Sequence, residues 1–208
     1  MRPDAKDQAE VAILGYACRL PGADGITQAW SVLSEGLCTV SEIPEDRWSS
    51  QRFMDPEGLT RGRSYIRRAG IIEDVWGFDP HFFGISPREA EVMDPQQRML
   101  LETAVRAFDH AGIDPARLDP ERTGVYIGAS NADHAVFGMQ NPAKIDAFFG
   151  LGNTLSIMAN RISYFWNFQG PSVTLDSACS SGLVALDRAR RDILSGEVDT
   201  AIVGGVNL

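Results

Sequence analysis

The sequence predicts an α/β protein built on parallel strands, and its last 40 or so residues carry that expectation most clearly. Residues 172–176 read as a strand, residues 179–195 as a helix with Leu186, Ala189 and Ile193 on one face, and residues 200–206 as a second apolar strand. A strand, a helix and a strand in this order form a βαβ unit, whose two strands run parallel. Upstream, residues 123–130 (TGVYIGAS) give another β-branched strand that ends in small residues. Parallel sheets need helices on both faces, and the alternation of elements supplies them.

The remaining elements follow in chain order. Residues 11–16 are an apolar run before the turn formers Pro21 and Gly22, and read as a buried strand that opens the fold. Residues 27–35 read as a short helix stopped by Gly36. Residues 39–86 are rich in Pro, Gly, Arg and aromatics without a sustained period; they are expected to be an insertion packed by Trp48, Trp76, Phe82 and Phe83, not a separate domain. Asp94 followed by Pro95 supplies an N-cap and a first-turn proline, Gln97 stands at the capping-box position, and Leu101, Val105 and Phe108 mark one face down to Gly112. Residues 153–164 are expected to be helical before the turn at Gly170 and Pro171. Residues 1–10 form a polar leader without an apolar core, so the domain is expected over residues 11–208.

A net charge of −9 leaves no domain-wide basic field to displace counterions from a phosphate backbone, which argues against a nucleic-acid binder. The one basic cluster, Arg61, Arg63, Arg67 and Arg68, is flanked by Glu57, Glu73 and Asp74, and reads as a solvated loop or the rim of a partner contact. Three widely spaced cysteines, Cys18, Cys38 and Cys179, spell neither a disulfide framework nor a metal site, so a reducing cytoplasm and no metal are expected. No apolar stretch is long enough to cross a bilayer as a helix, so no membrane partner is expected.

Cys179 is the residue whose surroundings point to chemistry. In GPSVTLDSACSSGLVAL it falls where a strand hands over to a helix, among small residues that leave room for a substrate. Helix N-termini favour negative charge, so a thiol there is expected to ionise below the ordinary value of about 8.5, and the thiolate is the form that attacks thioesters. A strand, a tight turn, a nucleophile and an apolar helix also make up the elbow of serine hydrolases, although their G-x-S-x-G string is absent. Cys18 reads as core packing beside a strand, and Cys38 as incidental.

The string DSACSSGLVAL, residues 176–186, resembles the active-site signature of β-ketoacyl synthases, usually written D-T-A-C-S-S-S. It follows, in the family's order, VAILGYACRLPGA, IPEDRW, FFGISPREAEVMDPQQRMLLE, AGIDP, TGVYIGAS and GNTLSIMANRISYFWNFQGPSV. On these strings the chain is similar to the N-terminal half of a ketosynthase domain of type I polyketide synthases. The resemblance implies a thiolase-like fold, here the N-terminal half of an α-β-α-β-α layered architecture, truncated before its second half, and a homodimer formed partly through the strand before the nucleophile. It also implies that Cys179 takes an acyl group from a phosphopantetheine thioester on an acyl carrier protein. A malonyl-type extender, after decarboxylation, would then attack that group, in polyketide or fatty acid biosynthesis. The backbone N–H of Cys179 would be one oxyanion-hole donor, and Ala178 and Ser180 are expected to contact the substrate. No cofactor is expected on the chain itself, and further domains of a larger synthase are expected partners.

Family members supply two catalytic histidines and a lysine from motifs after the nucleophile, and these lie outside this chain. His81, His110 and His134 match none of those motifs: His110 reads as a favourable charge at a helix C-terminus, His81 as part of an aromatic structural segment, and His134 as a loop residue near a strand end. The DPQQR string is expected to serve capping and packing. Ser177 and Gly182 depart from the Thr and third Ser of the usual signature, which bears on substrate preference more than on chemistry. A cysteine at position 179 argues against decarboxylase-only relatives that carry Gln there. An alternative from another class is a catalytically silent fragment that acts only in dimerisation or carrier-protein binding; a cysteine hydrolase fits the elbow but nothing else.

Overall fold

Residues 10–208 are described by a computed structural model of the chain, and they fall into two units, Ala17–Val75 and a second of residues 10–16 with Trp76–Leu208. The leader expected over residues 1–10 lies outside the described residues apart from Glu10.

The smaller unit is built from short pieces. Strand β1 (Arg19–Leu20) pairs antiparallel with β2 (Ala23–Asp24), helix α1 (Ile26–Ser34) follows, and Gly36 ends the turn after it with φ of 65°. Strand β3 (Val40–Glu42) pairs antiparallel with β4 (Arg68–Gly70), with α2 (Ser50–Phe53) between them in sequence. The expected single aromatic insertion is divided. Trp48 stays here against Phe53, whereas Trp76, Phe82 and Phe83 belong to the larger unit, where Phe83 is buried and stacks on Phe78. Composition marked the stretch as irregular, but irregularity says nothing about which core each aromatic joins. The basic cluster is exposed, Arg67 pairing with Glu42 at 3.5 Å and Arg68 donating to the Val40 carbonyl at 2.7 Å.

The larger unit runs α3 (Pro87–Val92), α4 (Pro95–Ala111), β5 (Thr123–Gly128), α5 (Asp133–Gly138), α6 (Ala147–Asn153), α7 (Ile157–Trp166), β6 (Ser172–Leu175), α8 (Ser181–Leu194) and β7 (Thr200–Gly205). Its sheet has the order β6-β5-β7, with both pairings parallel; Val125 stands opposite Ser172 and Ile202, and Gly128 opposite Leu175 and Gly205. Every residue of central β5 is buried, and its alternating side chains feed two cores. Val125 and Ile127 pack with Leu101, Met158 and Ile162 of α4 and α7, and Tyr126 packs with Ala185 and Ala189 of α8. The expected helical cover on both faces is therefore present. No helix among the described residues is long and apolar enough to cross a membrane.

Helix α4 begins as the sequence predicts, with the Asp94 carboxylate accepting the Gln96 N–H at 2.8 Å and Pro95 in the first turn, and it ends at Gly112 in the left-handed conformation. Gln97 does not close a capping box. The backbone N–H it would have served donates instead to the Gly152 carbonyl at 2.9 Å, and the Gln97 side chain reaches the Leu151 carbonyl at 3.1 Å.

Four further expectations need correction. Residues 11–16 belong to no strand or sheet, and Ile13 and Leu14 are 76% and 63% exposed. Gly15 is pressed onto α4, where a Cβ would stand 2.5 Å from the Ala107 carbonyl oxygen; an apolar run becomes a buried strand only where a ladder receives it. The helix expected over residues 153–164 starts later, at Ile157, because Asn153 closes α6, its amide donating to the Phe149 and Val92 carbonyls at 2.8 and 2.9 Å. The helix expected from Cys179 starts at Ser181 after a 3₁₀ turn, Ala178–Ser180.

Finally, the buried face of α8 is Ala185, Ala189 and Asp192; Ala189 is buried as expected, but Ile193 is only half-buried and Leu186 is 45% exposed. The helix meets the sheet through its smallest residues because the bulky Tyr126 ring occupies the space between them. The Tyr126 hydroxyl donates to Asp192 Oδ2 at 2.8 Å, and Arg188 donates to the same oxygen at 2.9 Å, so the buried carboxylate is paired. Burial and that carboxylate hold the Tyr126 phenol protonated well above its ordinary range.

At its N-terminal end α8 approaches the sheet even more closely. A Cβ on Gly128 would lie 2.5 Å from the Gly182 nitrogen and 2.5 Å from the Ser181 carbonyl carbon, both backbone atoms that cannot swing away. Gly128→Ala is expected to cost about 3 kcal/mol through overpacking, read as a lower urea midpoint at unchanged slope.

Candidate active site at the strand ends

The three parallel strands finish on one edge: β5 continues into Ala129–Asn131, β6 into Asp176–Ser180 and β7 into Val206–Leu208. Ligands of parallel α/β sheets collect beyond the carboxyl ends of the strands, so this edge is where chemistry is expected.

Cys179 lies there, exposed, in the 3₁₀ turn between β6 and α8. The turn is sharp because Ala178 takes φ of 55°, the left-handed region that a residue with a Cβ adopts at a cost. Its two peptide groups are each held by a side chain. The Ala178 N–H donates to Asp176 Oδ1 at 2.9 Å, and the Ser181 hydroxyl donates to the Ala178 carbonyl at 2.6 Å. Ser181 also accepts the Ser177 N–H at 2.8 Å, and the Ser180 hydroxyl donates to the Ser177 carbonyl at the same distance. From the end of β5, the Ser130 hydroxyl donates to Asp176 Oδ1 at 2.6 Å. These bonds, the Ser130 one foremost, keep the Asp176 carboxyl below the usual carboxylate range.

The DPQQR string reaches this edge too. Asp94, Gln96, Gln97 and Arg98 are all buried. Gln96 donates to the Asn131 carbonyl at 2.8 Å, and the Asn131 amide in turn donates to Asn207 at 2.6 Å, which joins the loops after β5 and β7. Gln97 accepts from Arg161 at 2.8 Å, and Arg161 pairs with Glu89 at 2.7 Å with both side chains largely buried. Buried polar groups linked in this way specify one arrangement of the elements they join. The string thus performs the expected capping and also ties α3, α4, α6 and α7 to the strand-end loops.

Two of the three histidines have partners outside the turn that holds Cys179. His110 Nδ1 accepts the Tyr16 N–H at 3.3 Å and its ring lies 4.5 Å from that of Tyr16, so it fastens the chain entering the unit rather than serving only the helix end. His134 sits in α5, not in a loop, with Nδ1 2.7 Å from Asn153 Oδ1. His81 is exposed. Among the described residues no group of three or more His, Cys, Asp or Glu is arranged to hold a metal ion.

Comparison with known proteins agrees with this architecture. The sequence profile described as "Beta-ketoacyl synthase, N-terminal domain" matches residues 8–208. The chain therefore belongs to the β-ketoacyl synthase family, whose N-terminal domain it carries. It is 45% identical over 199 residues to a component of the phenolphthiocerol/phthiocerol polyketide synthase of Mycobacterium tuberculosis, covering 95% of this chain and 13% of that protein. It is 44% identical over 207 residues to a pikromycin polyketide synthase component of Streptomyces venezuelae, covering 99% of this chain and 6% of that one. Among solved structures, an oxazolomycin ketosynthase domain from Streptomyces albus superposes with a TM-score of 0.88 at 41% identity, over 94% of this chain and 34% of the other. The ketosynthase from module 6 of the bacillaene synthase of Bacillus subtilis gives 0.81 at 36% identity, over 95% and 31%. These likenesses bear out the thiolase-like α/β expectation for this half of the fold. The chain spans a small part of the synthases and about a third of the solved ketosynthase chains.

Both departures from the usual signature fit the geometry. The Ser177 hydroxyl lies 3.0 Å from that of Ser180, within the turn. At Gly182 a Cβ would meet only the Gly205 Cα, at 3.9 Å, so packing leaves room there for the more usual serine.

Sequence reading missed Ser130, Asp176 and Ser181 as parts of the site. Asp176 and Ser181 stood in the signature string without an assigned task, and Ser130 is 46 residues away from its partner. The only signal for Ser130 was its place just past a strand end. A depressed carboxylate contributes stability that is present above the ordinary value of about 4 and lost as pH falls through its lower folded value. Ser130→Ala is therefore expected to move Asp176 back up toward the ordinary range, so that acid loosens the elbow at higher pH; carboxyl NMR titration reads the shift.

Proposed function

We propose that this chain is the nucleophile-bearing half of a ketosynthase site, in which Cys179 accepts an acyl group from a phosphopantetheine thioester of an acyl carrier protein. The observation that carries the reading is an exposed cysteine on a strained strand-to-helix turn at the carboxyl ends of three parallel strands, in a chain of this family. In the first step the Cys179 sulfur bonds to the thioester carbonyl carbon, the bond from that carbon to the carrier sulfur breaks, and the carrier thiol leaves with the proton. The Cys179 N–H faces the developing oxyanion, with Ala178 and Ser180 lining the acyl group. In the second step a malonyl-type extender on a carrier loses carbon dioxide. Its carbanion bonds to the acyl carbon, and the Cys179 thiolate is released along with a β-ketoacyl thioester lengthened by two backbone carbons. Polyketide assembly within a larger synthase is the proposed setting, in line with the named relatives. Three cysteines with no disulfide between them suit a reducing cytoplasm.

A homodimer belongs to the same reading. Among the described residues strand β6 is bonded only to β5 and offers its other edge, which suits addition of a second β6 across a two-fold axis. That edge also supports the alternative of a fragment that dimerises or binds carrier protein without catalysis.

Intact-mass measurement after incubation with a short acyl thioester tests the main reading. One acyl addition is expected, and none in Cys179→Ala. An adduct that persists in the variant, or equal labelling of all three cysteines, would overturn the assignment of Cys179. No adduct from a chain that forms a dimer would favour the silent alternative.

A further inference from the structure

The left-handed residue of the elbow is an alanine, not a glycine, so its conformation has to be imposed by its surroundings. The surroundings that impose it are side chains on three separate segments. Asp176, at the end of β6, holds the Ala178 N–H; Ser181, at the start of α8, holds the Ala178 carbonyl; and Ser130, past the end of β5, bonds Asp176 and lies 3.4 Å from the Ser181 hydroxyl. A carboxylate that accepts a backbone N–H makes a stronger bond than a neutral acceptor does. The next residue after this clamped peptide is Cys179. Rotation of the Ala178 backbone out of the left-handed region would redirect the Cys179 side chain and the N–H beside it together.

We propose that Asp176 and Ser181, joined by Ser130, are positioning residues that hold Ala178 left-handed and so aim Cys179 from the turn. They act through the backbone of residue 178 and not on substrate. The inference rests on the reading of Cys179 as the acyl-accepting nucleophile, and its test does not require acyl transfer.

The test is the rate at which iodoacetamide alkylates Cys179 in the 208-residue chain at one neutral pH, followed by peptide mass spectrometry with exposed Cys38 as internal reference. Asp176→Ala is expected to slow Cys179 about tenfold relative to Cys38, the effect of one charge-assisted hydrogen bond. Asp176→Asn keeps an oxygen that accepts the Ala178 N–H in a neutral bond about half as strong, and is expected to slow Cys179 only about threefold. The deciding comparison is a double-mutant cycle with Ala178→Gly. Glycine occupies positive φ without a Cβ penalty, so Asp176→Ala should slow Cys179 only about twofold on that background.

Equal penalties on the two backgrounds would overturn the proposal, as would a loss in Asp176→Asn as large as in Asp176→Ala, or no loss in either. If circular dichroism shows that Asp176→Ala does not fold, the same cycle run with Ser130→Ala decides, with about a threefold loss expected on the alanine background and less on the glycine one. A chain that alkylates as expected but takes no acyl group overturns the proposed function and leaves the elbow inference standing. An acyl adduct with an additive cycle does the reverse.

Discussion

The approach of α8 to the ends of β5 and β7 is the constraint on which the larger unit depends. Gly128 leaves space for the backbone at Ser181 and Gly182, with a would-be Cβ only 2.5 Å from each, and Gly205 comes within 3.5 Å of the Gly182 Cα by the same measure. Such proximity lets the chain leave β6, turn within the few residues 176–180 and enter a helix lying directly on the sheet. Farther along α8 the gap widens, and Tyr126 fills it with a ring against Ala185 and Ala189 and a hydroxyl on Asp192. One end of the helix is thus set by the absence of side chains, and the other by a large buried side chain with a polar tip.

From that geometry follows the presentation of Cys179. The proposed role as a nucleophile needs a side chain that is accessible yet aimed, and loops at strand ends satisfy both when rigid elements support them. Here the support is polar on each side. The Ser130, Asp176 and Ser181 cluster holds the elbow from within, and the chain of bonds from Gln96 through Asn131 to Asn207 ties neighbouring loops to α4. The buried Arg161, Gln97 and Glu89 bonds fix α7 and α3 relative to the same helix. A carboxylate at the elbow is compatible with this role because its charge is met by hydrogen-bond donors.

Much of the fold was legible because its signals are local. Helix α4 carries its own N-cap, first-turn proline and terminating glycine, and the strands β5, β6 and β7 are β-rich runs bounded by small residues. The signature string around Cys179 also pointed to the strand-to-helix turn in which that cysteine lies exposed. The failures share a cause. Residues 11–16 have the composition of a strand but no ladder, Leu186 has the chemistry of a core residue on a helix whose core face is made of alanines, and Gln97 stands at a capping-box position whose backbone donor serves another segment. In each case the deciding partner lies far away in sequence.

The family, the order of the main elements and the cysteine at their junction can therefore be read from the chain alone, since they rest on short-range patterns of size, polarity and capping. Three features come from the folded arrangement and from nothing shorter in range: Ser130 meets Asp176, an alanine and not a glycine bends left-handed before Cys179, and DPQQR is a buried hub. The physical reason is register. Parallel pairing of β5 with β6 sets Gly128 opposite Leu175 and so brings their following residues together, a juxtaposition that hydrogen bonding between strands creates and spacing along the chain does not contain.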